Sequence, residues 1–264
     1  MTQPIRPAAT VIIAREVPDA RGGFEIFMLR RTSGAAFAGG MYVFPGGRVD
    51  SDDHLHKYDA HRQGPSDFQA PQQAALGAEW RGYWVAGIRE SFEEAGLLLA
   101  YTADGDLLSY DDSNRARFHD YRGPLHDGTL SLLEICERED LKLAVDHIHY
   151  VNRFVTPVGR PRRFDTRFFL AEAPPGQTGV HDEKETVDSI WISPPDAIER
   201  NDAGEFDLMR VTRMQLEMLA EQDSHSALID WLHGLTDFPI YRPVVPVNQK
   251  SDQQGDQSRD QDPD

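Results

Sequence analysis

The sequence predicts an α/β protein, an α/β/α sandwich around a mixed sheet that carries two insertions. Short apolar, β-branched runs recur along the chain, beginning with residues 9–15 (ATVIIAR) and Phe24–Arg31 (FEIFMLRR). Between the third and fourth runs, Trp80, Trp84, Ile88 and Phe92 stand four apart, the spacing of one helix face. About six strands interleaved with helices bury both faces of a sheet only if helices lie on each.

Each element follows in order. Residues 9–15 read as a buried strand, and Pro18, Gly22 and Gly23 turn the chain so that residues 24–31 return as its hairpin partner. Residues 34–40 form a small-residue loop, and 41–44 a short strand broken by Pro45, Gly46 and Gly47. Residues 48–78, polar and without periodicity, are the first insertion. The helix over 80–95 ends where Gly96 supplies a C-cap. Residues 97–101 resume as strand. The second insertion, 102–146, is mainly helical from 114 to 145. Strands at 148–156 and 166–171 flank a basic turn holding Arg160, Arg162 and Arg163. A strand at 189–192 precedes helices at 194–200, 206–221 and 227–233. One domain over residues 1–247 is expected, then an acidic tail, 248–264, with no apolar anchor and hence disordered.

The composition bounds function. Hydrophobic residues at 39% of 264 allow a sizeable core, and no apolar run approaches the ~18 residues of a membrane span. A formal charge of −17 disfavours nucleic acid and anionic membranes as partners, but not a small polyanion at a locally positive or metal-loaded site. The N-terminus lacks a secretory pattern, and the single Cys136 can form neither an internal disulfide nor a cysteine-rich zinc site. A cytoplasmic setting is expected. His147 and His149 read as strand-face histidines, and Cys136 as a buried thiol.

The sharpest chemistry lies in Glu90, Glu93 and Glu94, at i, i+3 and i+4 of the helix and so on one face. Like charges at these spacings cost roughly 0.2–0.5 kcal/mol per pair, and the helix C-terminus repels each by roughly 0.3–1 kcal/mol. A hard divalent cation, Mg²⁺ or Mn²⁺, reverses both penalties. The alternative is a solvated acidic face; the glycine turn upstream and the basic turn downstream favour the metal.

Arg89-Glu90-Ser91-Phe92-Glu93-Glu94-Ala95-Gly96-Leu97 resembles the core of the Nudix box, G-x5-E-x7-R-E-U-x-E-E-x-G-U, and Phe44-Pro45-Gly46-Gly47 resembles the turn that opens it. The resemblance covers most of the chain to about residue 200 and implies a Nudix-type sandwich. Three departures stand out. Between Gly47 and Arg89 lie 41 residues where the compact box has 13. Counting back from Arg89 puts the box's first glutamate at 81, where Arg81 stands, so Glu79 or an acid of the insertion is left as the partner of Arg89. Ser91 occupies a position that is usually apolar.

The interrupted box, with TPVGRPRRFDTRFFLAEAP downstream, resembles the acyl-coenzyme A diphosphatase branch of the family. That branch is peroxisomal in animals, whereas Asp262-Pro263-Asp264 is no peroxisomal tripeptide, which again favours cytoplasm. The resemblance implies hydrolysis of coenzyme A or acyl-CoA to 3′,5′-ADP and (acyl-)4′-phosphopantetheine. It makes Glu90, Glu93, Glu94 and the Gly46 carbonyl metal ligands, gives Arg89 a catalytic role, and offers Glu185, with Glu183 as rival, as general base or extra ligand. Arg162, Arg163, Arg30 and Arg31 are candidates for substrate phosphates. Two alternatives remain: a pyrophosphatase for ADP-ribose, NADH or another nucleoside diphosphate derivative, and a silent nucleotide sensor. A homodimer is permitted but not required.

Overall fold

The computed structural model describes residues 4–35, 38–182 and 184–244; the expected disordered tail and Glu183 lie outside them. The hairpin is β1 (Ile5–Glu16) and β2 (Phe24–Arg31), followed by β3 (Tyr42–Val43) and β4 (Gly46–Arg48). The first insertion supplies β5 (Arg62–Gln63) and α1 (Ala70–Leu76) ahead of α2 (Trp80–Ala95). Next come β6 (Ala100–Tyr101), α3 (Arg115–His126), α4 (Leu132–Glu139) and β7 (Lys142–Ala144). Then follow β8 (Ile148–Val155), β9 (Arg163–Glu172), β10 (Thr186–Ile192), α5 (Pro194–Asp202), α6 (Arg210–Leu219), α7 (His225–His233) and β11 (Ile240–Tyr241).

The main sheet is mixed, in the order β10-β2-β1-β9-β8-β11, with β3 on β2 and β4 on β1. β1 is antiparallel to β2 and parallel to β9, pairing Ala9 with Arg167 and Ile5 with Arg163. Alternation along β1 builds two cores. Ala9, Val11 and Ile13 join Trp84, Ile88 and Phe92 of α2 on one face. Ile12 and Ala14 join Ala197, Leu216 and Leu228 of α5 to α7 on the other. Each fully buried large side chain stabilises by roughly 1.5–3 kcal/mol, so the sandwich follows from period-2 strands meeting a four-apart helix stripe.

The insertions differ from a plain polar loop and a plain helical excursion. Asp53, Tyr58, Gln69, Gln72 and Leu76 of the first are buried. Gln69 Nε2 donates to the carbonyls of Val145 and Ile148, and Gln72 Oε1 accepts from the Tyr150 amide, so these glutamines satisfy main-chain groups in and just before β8. The two insertions then meet in a second sheet, β5-β7-β6. Only Ala100–Tyr101 of the expected strand 97–101 is strand, because Gln177 pairs with the amide and carbonyl of Leu98 in place of a neighbouring strand. The strand expected at 166–171 begins at Arg163, and the helix expected from 206 begins at Arg210. Phe206 is instead fixed by stacking on Tyr42, with ring centroids 3.8 Å apart. Among the described residues no helix is long and apolar enough to cross a membrane.

His149, on β8, is only 7% exposed and lies against the rings of Phe68 and His233. Its Nδ1 has no partner among the described residues, and burial, with His233 and His147 nearby, drives its pKa down to about 4. A histidine depressed in the folded state contributes stability that is complete above its unfolded pKa of about 6.5 and is lost as pH falls toward 4. By linkage the loss is on the order of 3 kcal/mol. His149→Phe should flatten that part of the urea-midpoint profile; an unchanged slope between the two proteins would show that His149 titrates freely.

Candidate active site

The helix α2 and the glycine turn approach each other as closely as their atoms allow. Glu90 and Glu94 are 8% and 7% exposed, and Glu93 is half-buried. Gly46 and Gly47 lie in β4, paired with Thr10 and Ala9 of β1. The Gly46 amide donates to Glu94 Oε2 at 2.9 Å. A Cβ on Gly47 would sit 2.5–2.8 Å from the carboxylate atoms of Glu90, and one on Gly46 would sit 2.6 Å from the Ala9 carbonyl oxygen and Thr10 Cα. Neither position has room for a side chain.

Burial drives the Glu90 carboxyl well above its ordinary range against the pull of Arg89, with Glu94 and Glu93 pushing the same way as burial. Burial likewise raises Glu94 to about 8, opposed by the Gly46 amide and Arg31 and reinforced by Glu185 and Asp182. The set is oxygen-only, clustered and desolvated, and it fits a hard divalent cation. Among the described residues no three His, Cys, Asp or Glu side chains converge as a ready cage. Each carboxylate already has a protein partner, so taking a cation means releasing protons and loosening contacts with Arg89.

Arg89 is the hub. Its Nε donates to Asp53 Oδ1 at 2.9 Å and its Nη2 to Asp53 Oδ2 at 3.1 Å. Nη1 stands 2.9 Å from Glu90 Oε1 and 3.3 Å from Glu93 Oε2, and Nη2 also donates to the Arg48 carbonyl. Burial works against this charge, but Glu90, Asp53 and Glu93 outweigh it and hold the guanidinium pKa above its ordinary value. Asp53 is 1% exposed, and burial raises its carboxyl against the hydrogen bonds of Arg89. Donors on both oxygens fit the ionised form.

The acid partner of Arg89 therefore comes from the first insertion, and Glu79 instead pairs with His54 at 3.0 Å. The signal was present in the spacing: G-x5-acid counted forward from Gly47 ends on Asp53. Counting back from Arg89 fails because the extra residues follow this acid. Arg81 takes a surface role, paired with Asp59 at 2.9 Å and lying over Trp80.

Two further groups face the carboxylates. The register of β10 on β2 sets Thr186 opposite Arg31, which brings Glu185 to the site. Arg31 Nη2 donates to Glu185 Oε2 at 2.9 Å, Nη1 is 4.0 Å from Glu94 Oε1, and the buried Nε has no acceptor among the described residues. Asp182 accepts from Thr186 and from the Glu185 and Thr186 amides, which hold its carboxyl below the ordinary range despite burial. From α3, His126 Nδ1 lies 2.9 Å from Glu93 Oε1, and Arg122 donates to the main-chain carbonyls of Glu93 and Glu94. Sequence reasoning missed both; the available signal was Arg122 and His126 four apart in an otherwise featureless helix.

Glu90, Glu93, Glu94, Gly46, Arg89, Arg31 and Glu185 thus come together, and three candidates do not. Arg30 points to the other side of β2, near the Tyr42 ring and the Gly40 carbonyl. Arg162 is exposed, and Arg163 donates to the Thr156 carbonyl at the start of β9. Arg167 stands opposite Ala9, the residue that faces Gly47, so Arg163 lies four strand residues, about 13 Å, further along.

Asp53→Ala should cost about 2–3 kcal/mol in urea unfolding, below the usual 3–5 for a broken buried pair because Glu90 and Glu93 still face Arg89. Asp50→Ala, at an exposed position 3.6 Å from the same guanidinium, should cost under about 1 kcal/mol. Equal costs would mean that Asp53 does not anchor Arg89.

Comparison with known proteins identifies the family. Residues 5–209 match the family described as the NUDT19 Nudix domain. An acyl-coenzyme A diphosphatase NUDT19 of Gallus gallus is 30% identical over 237 residues, covering 74% of this chain and 62% of that protein. The Homo sapiens protein of the same name is 28% identical, covering 69% of this chain and 56% of its own length. A putative nudix hydrolase 7 of Caenorhabditis elegans is 27% identical over 79% of this chain and 58% of that one. The chain thus spans about three-fifths of the length of these relatives. A crystallised NUDIX hydrolase from Alicyclobacillus acidocaldarius has the same fold, with TM-score 0.67 at 24% identity over 86% of this chain and 96% of that one. Taken with the intact carboxylate helix, the match over residues 5–209 means that this chain belongs to the NUDT19-type Nudix family.

Proposed function

We propose that the protein hydrolyses the diphosphate of coenzyme A or acyl-CoA to 3′,5′-ADP and (acyl-)4′-phosphopantetheine. The observation that carries this reading is the complete set Glu90, Glu93 and Glu94 against Gly46, within a domain whose relatives are named acyl-coenzyme A diphosphatases. Those three carboxylates and the Gly46 carbonyl would hold Mg²⁺ or Mn²⁺. A bound cation supplies charge neutralisation at the bridging and leaving oxygens of the diphosphate.

The chain's own residues do the rest. Arg31, beside Glu94 and Glu185, binds a phosphate oxygen through its guanidinium fork. Glu185, half in solvent and oriented by Arg31, accepts the proton of the attacking water at a carboxylate oxygen. Arg89 holds the carboxylates of Glu90 and Glu93 in register. Arg162 and Arg163, about 13 Å along the strand from the glycine turn, suit an outlying phosphate of an elongated substrate and not the scissile diphosphate; Arg30 is a weaker case, facing away. A cytoplasmic setting completes the reading and suits the buried thiol of Cys136.

The test is product analysis by mass spectrometry with Mg²⁺ or Mn²⁺ and a panel of coenzyme A, acetyl-CoA, a long-chain acyl-CoA, NADH and ADP-ribose. The coenzyme A substrates should yield 3′,5′-ADP, with a loss of roughly 10²-fold or more in Glu93→Gln and Glu94→Gln. Cleavage of NADH or ADP-ribose alone would discard the substrate assignment and keep the metal helix. Nucleotide binding without turnover would make the protein a sensor.

Cation binding should also depend on pH, because Glu90 and Glu94 both titrate above their ordinary range, Glu94 at about 8. Mn²⁺ affinity measured by calorimetry should climb from about pH 6 to about pH 8, by up to about tenfold per unit for each proton displaced, and flatten above. A flat profile over that interval would show that neither carboxyl yields a proton to the cation.

A further inference from the structure

We propose that His126, carried by the second insertion, is a positioning residue for Glu93 that presents this carboxylate to the divalent cation. The proposal rests on the reading of Glu93 as a metal ligand. Glu93 is contacted on both oxygens: His126 Nδ1 at 2.9 Å from Oε1, and Arg89 Nη1 at 3.3 Å from Oε2. A carboxylate only accepts, so the proton of that hydrogen bond sits on Nδ1 of His126. Arg89 is shared among Asp53, Glu90, Glu93 and the Arg48 carbonyl, and its contact with Glu93 is the longest of its carboxylate hydrogen bonds. Arg89 alone therefore does not fix the carboxylate plane of Glu93; the second donor, on the opposite oxygen, does. Each oxygen then keeps one lone pair for a ligand.

The imidazole is itself held on a rigid element. One turn earlier on α3, Arg122 donates to the Glu93 carbonyl at 3.2 Å and to the Glu94 carbonyl at 2.8 Å. The same side chain that caps the end of α2 thus sets the axial register of α3 against it. Phe118 and Leu125 of α3 are buried in the core shared with α2. Beyond His126, the Pro124 carbonyl accepts from the amides of Thr129 and Leu130 and closes the helix end. A hydrogen-bonding partner of a metal-binding side chain, held this firmly, typically contributes 10–100-fold in metal affinity.

The role is a hydrogen bond and not a proton transfer, which separates it from acid–base catalysis. Asn at 126 can place its amide donor where Nδ1 stands; Gln reaches to the position of Nε2 instead. The experiment is a calorimetric titration of the purified full chain with Mn²⁺, at fixed pH, for the wild type, His126→Ala, His126→Asn, His126→Gln and Glu93→Gln, with thermal midpoints and the pH profile of kcat alongside. His126→Ala and His126→Gln should weaken Mn²⁺ binding roughly tenfold or more. His126→Asn should stay within about threefold of wild type and keep the wild-type pH profile. Wild-type affinity in His126→Ala or His126→Gln, while Glu93→Gln binds weakly, overturns the proposal. If His126→Ala does not fold, the contrast between Asn and Gln decides: equal affinity in these two also overturns it. A pH profile that changes in His126→Asn would replace positioning with proton transfer. No Mn²⁺ binding by the wild type overturns the metal-helix reading together with this one.

Discussion

The structure turns on one guanidinium. Three glutamates within five residues on a helix, two of them nearly without solvent, are an arrangement that electrostatics opposes at every step. Arg89 makes it tenable by facing Asp53, Glu90 and Glu93 at once, while the Gly46 amide and Arg31 attend to Glu94. The rest of the site is what this requires. The turn must be glycine twice, because the Glu90 carboxylate presses on Gly47 and the backbone of β1 presses on Gly46. Ser91, at a position that is usually apolar, is fully buried without penalty because its hydroxyl donates to the Gly87 carbonyl at 2.8 Å.

That balance also explains why the carboxylates are poised and not simply charged. Desolvation lifts the titration of Glu90 and Glu94, so without a cation the site lowers its own repulsion by holding protons. On the reading proposed above, a divalent cation would exchange for them. The same burial that makes the carboxylate cluster costly would favour a hard cation on that reading, since fixed oxygens in a low dielectric would replace water around the ion.

Much of this was legible in the sequence where local periodicity or spacing carries the information. The hairpin of β1 and β2 shows as two apolar runs about a Gly-Gly turn, and α2 as four large residues four apart, of which Trp84, Ile88 and Phe92 enter the core and Trp80 packs against it. Glu185 was legible only through the resemblance, because its approach depends on the register of β10 against β2. Asp53 was legible by counting from Gly47 and illegible by counting from Arg89. Gln69, Gln72 and Gln177 were not legible at all: each satisfies main chain dozens of residues away, and no pattern within a window reports a side chain that substitutes for a strand. His126 belongs with them, since its meaning arises only when α3 docks on α2.

The interrupted box is tolerable for a physical reason. Closure entropy grows only as the logarithm of loop length, roughly 0.6 kcal/mol per doubling, so a long excursion between Asp53 and α2 costs little provided its ends are held where the compact turn would hold them. They are held. Asp53 anchors one end on Arg89, and the turn beside it packs His54 over Gly82 so closely that a Cβ there would overlap the imidazole. The excursion then offsets its own ordering by pairing β5 with β7 of the second insertion, so neither segment is left as an open loop. The two share a sheet and both touch α2: Asp53 fixes Arg89 from one side while Arg122 and His126 contact the end of the helix and Glu93 from the other. The insertions are therefore walls of the active centre, and their polar composition reflects the main chain and carboxylates they must satisfy.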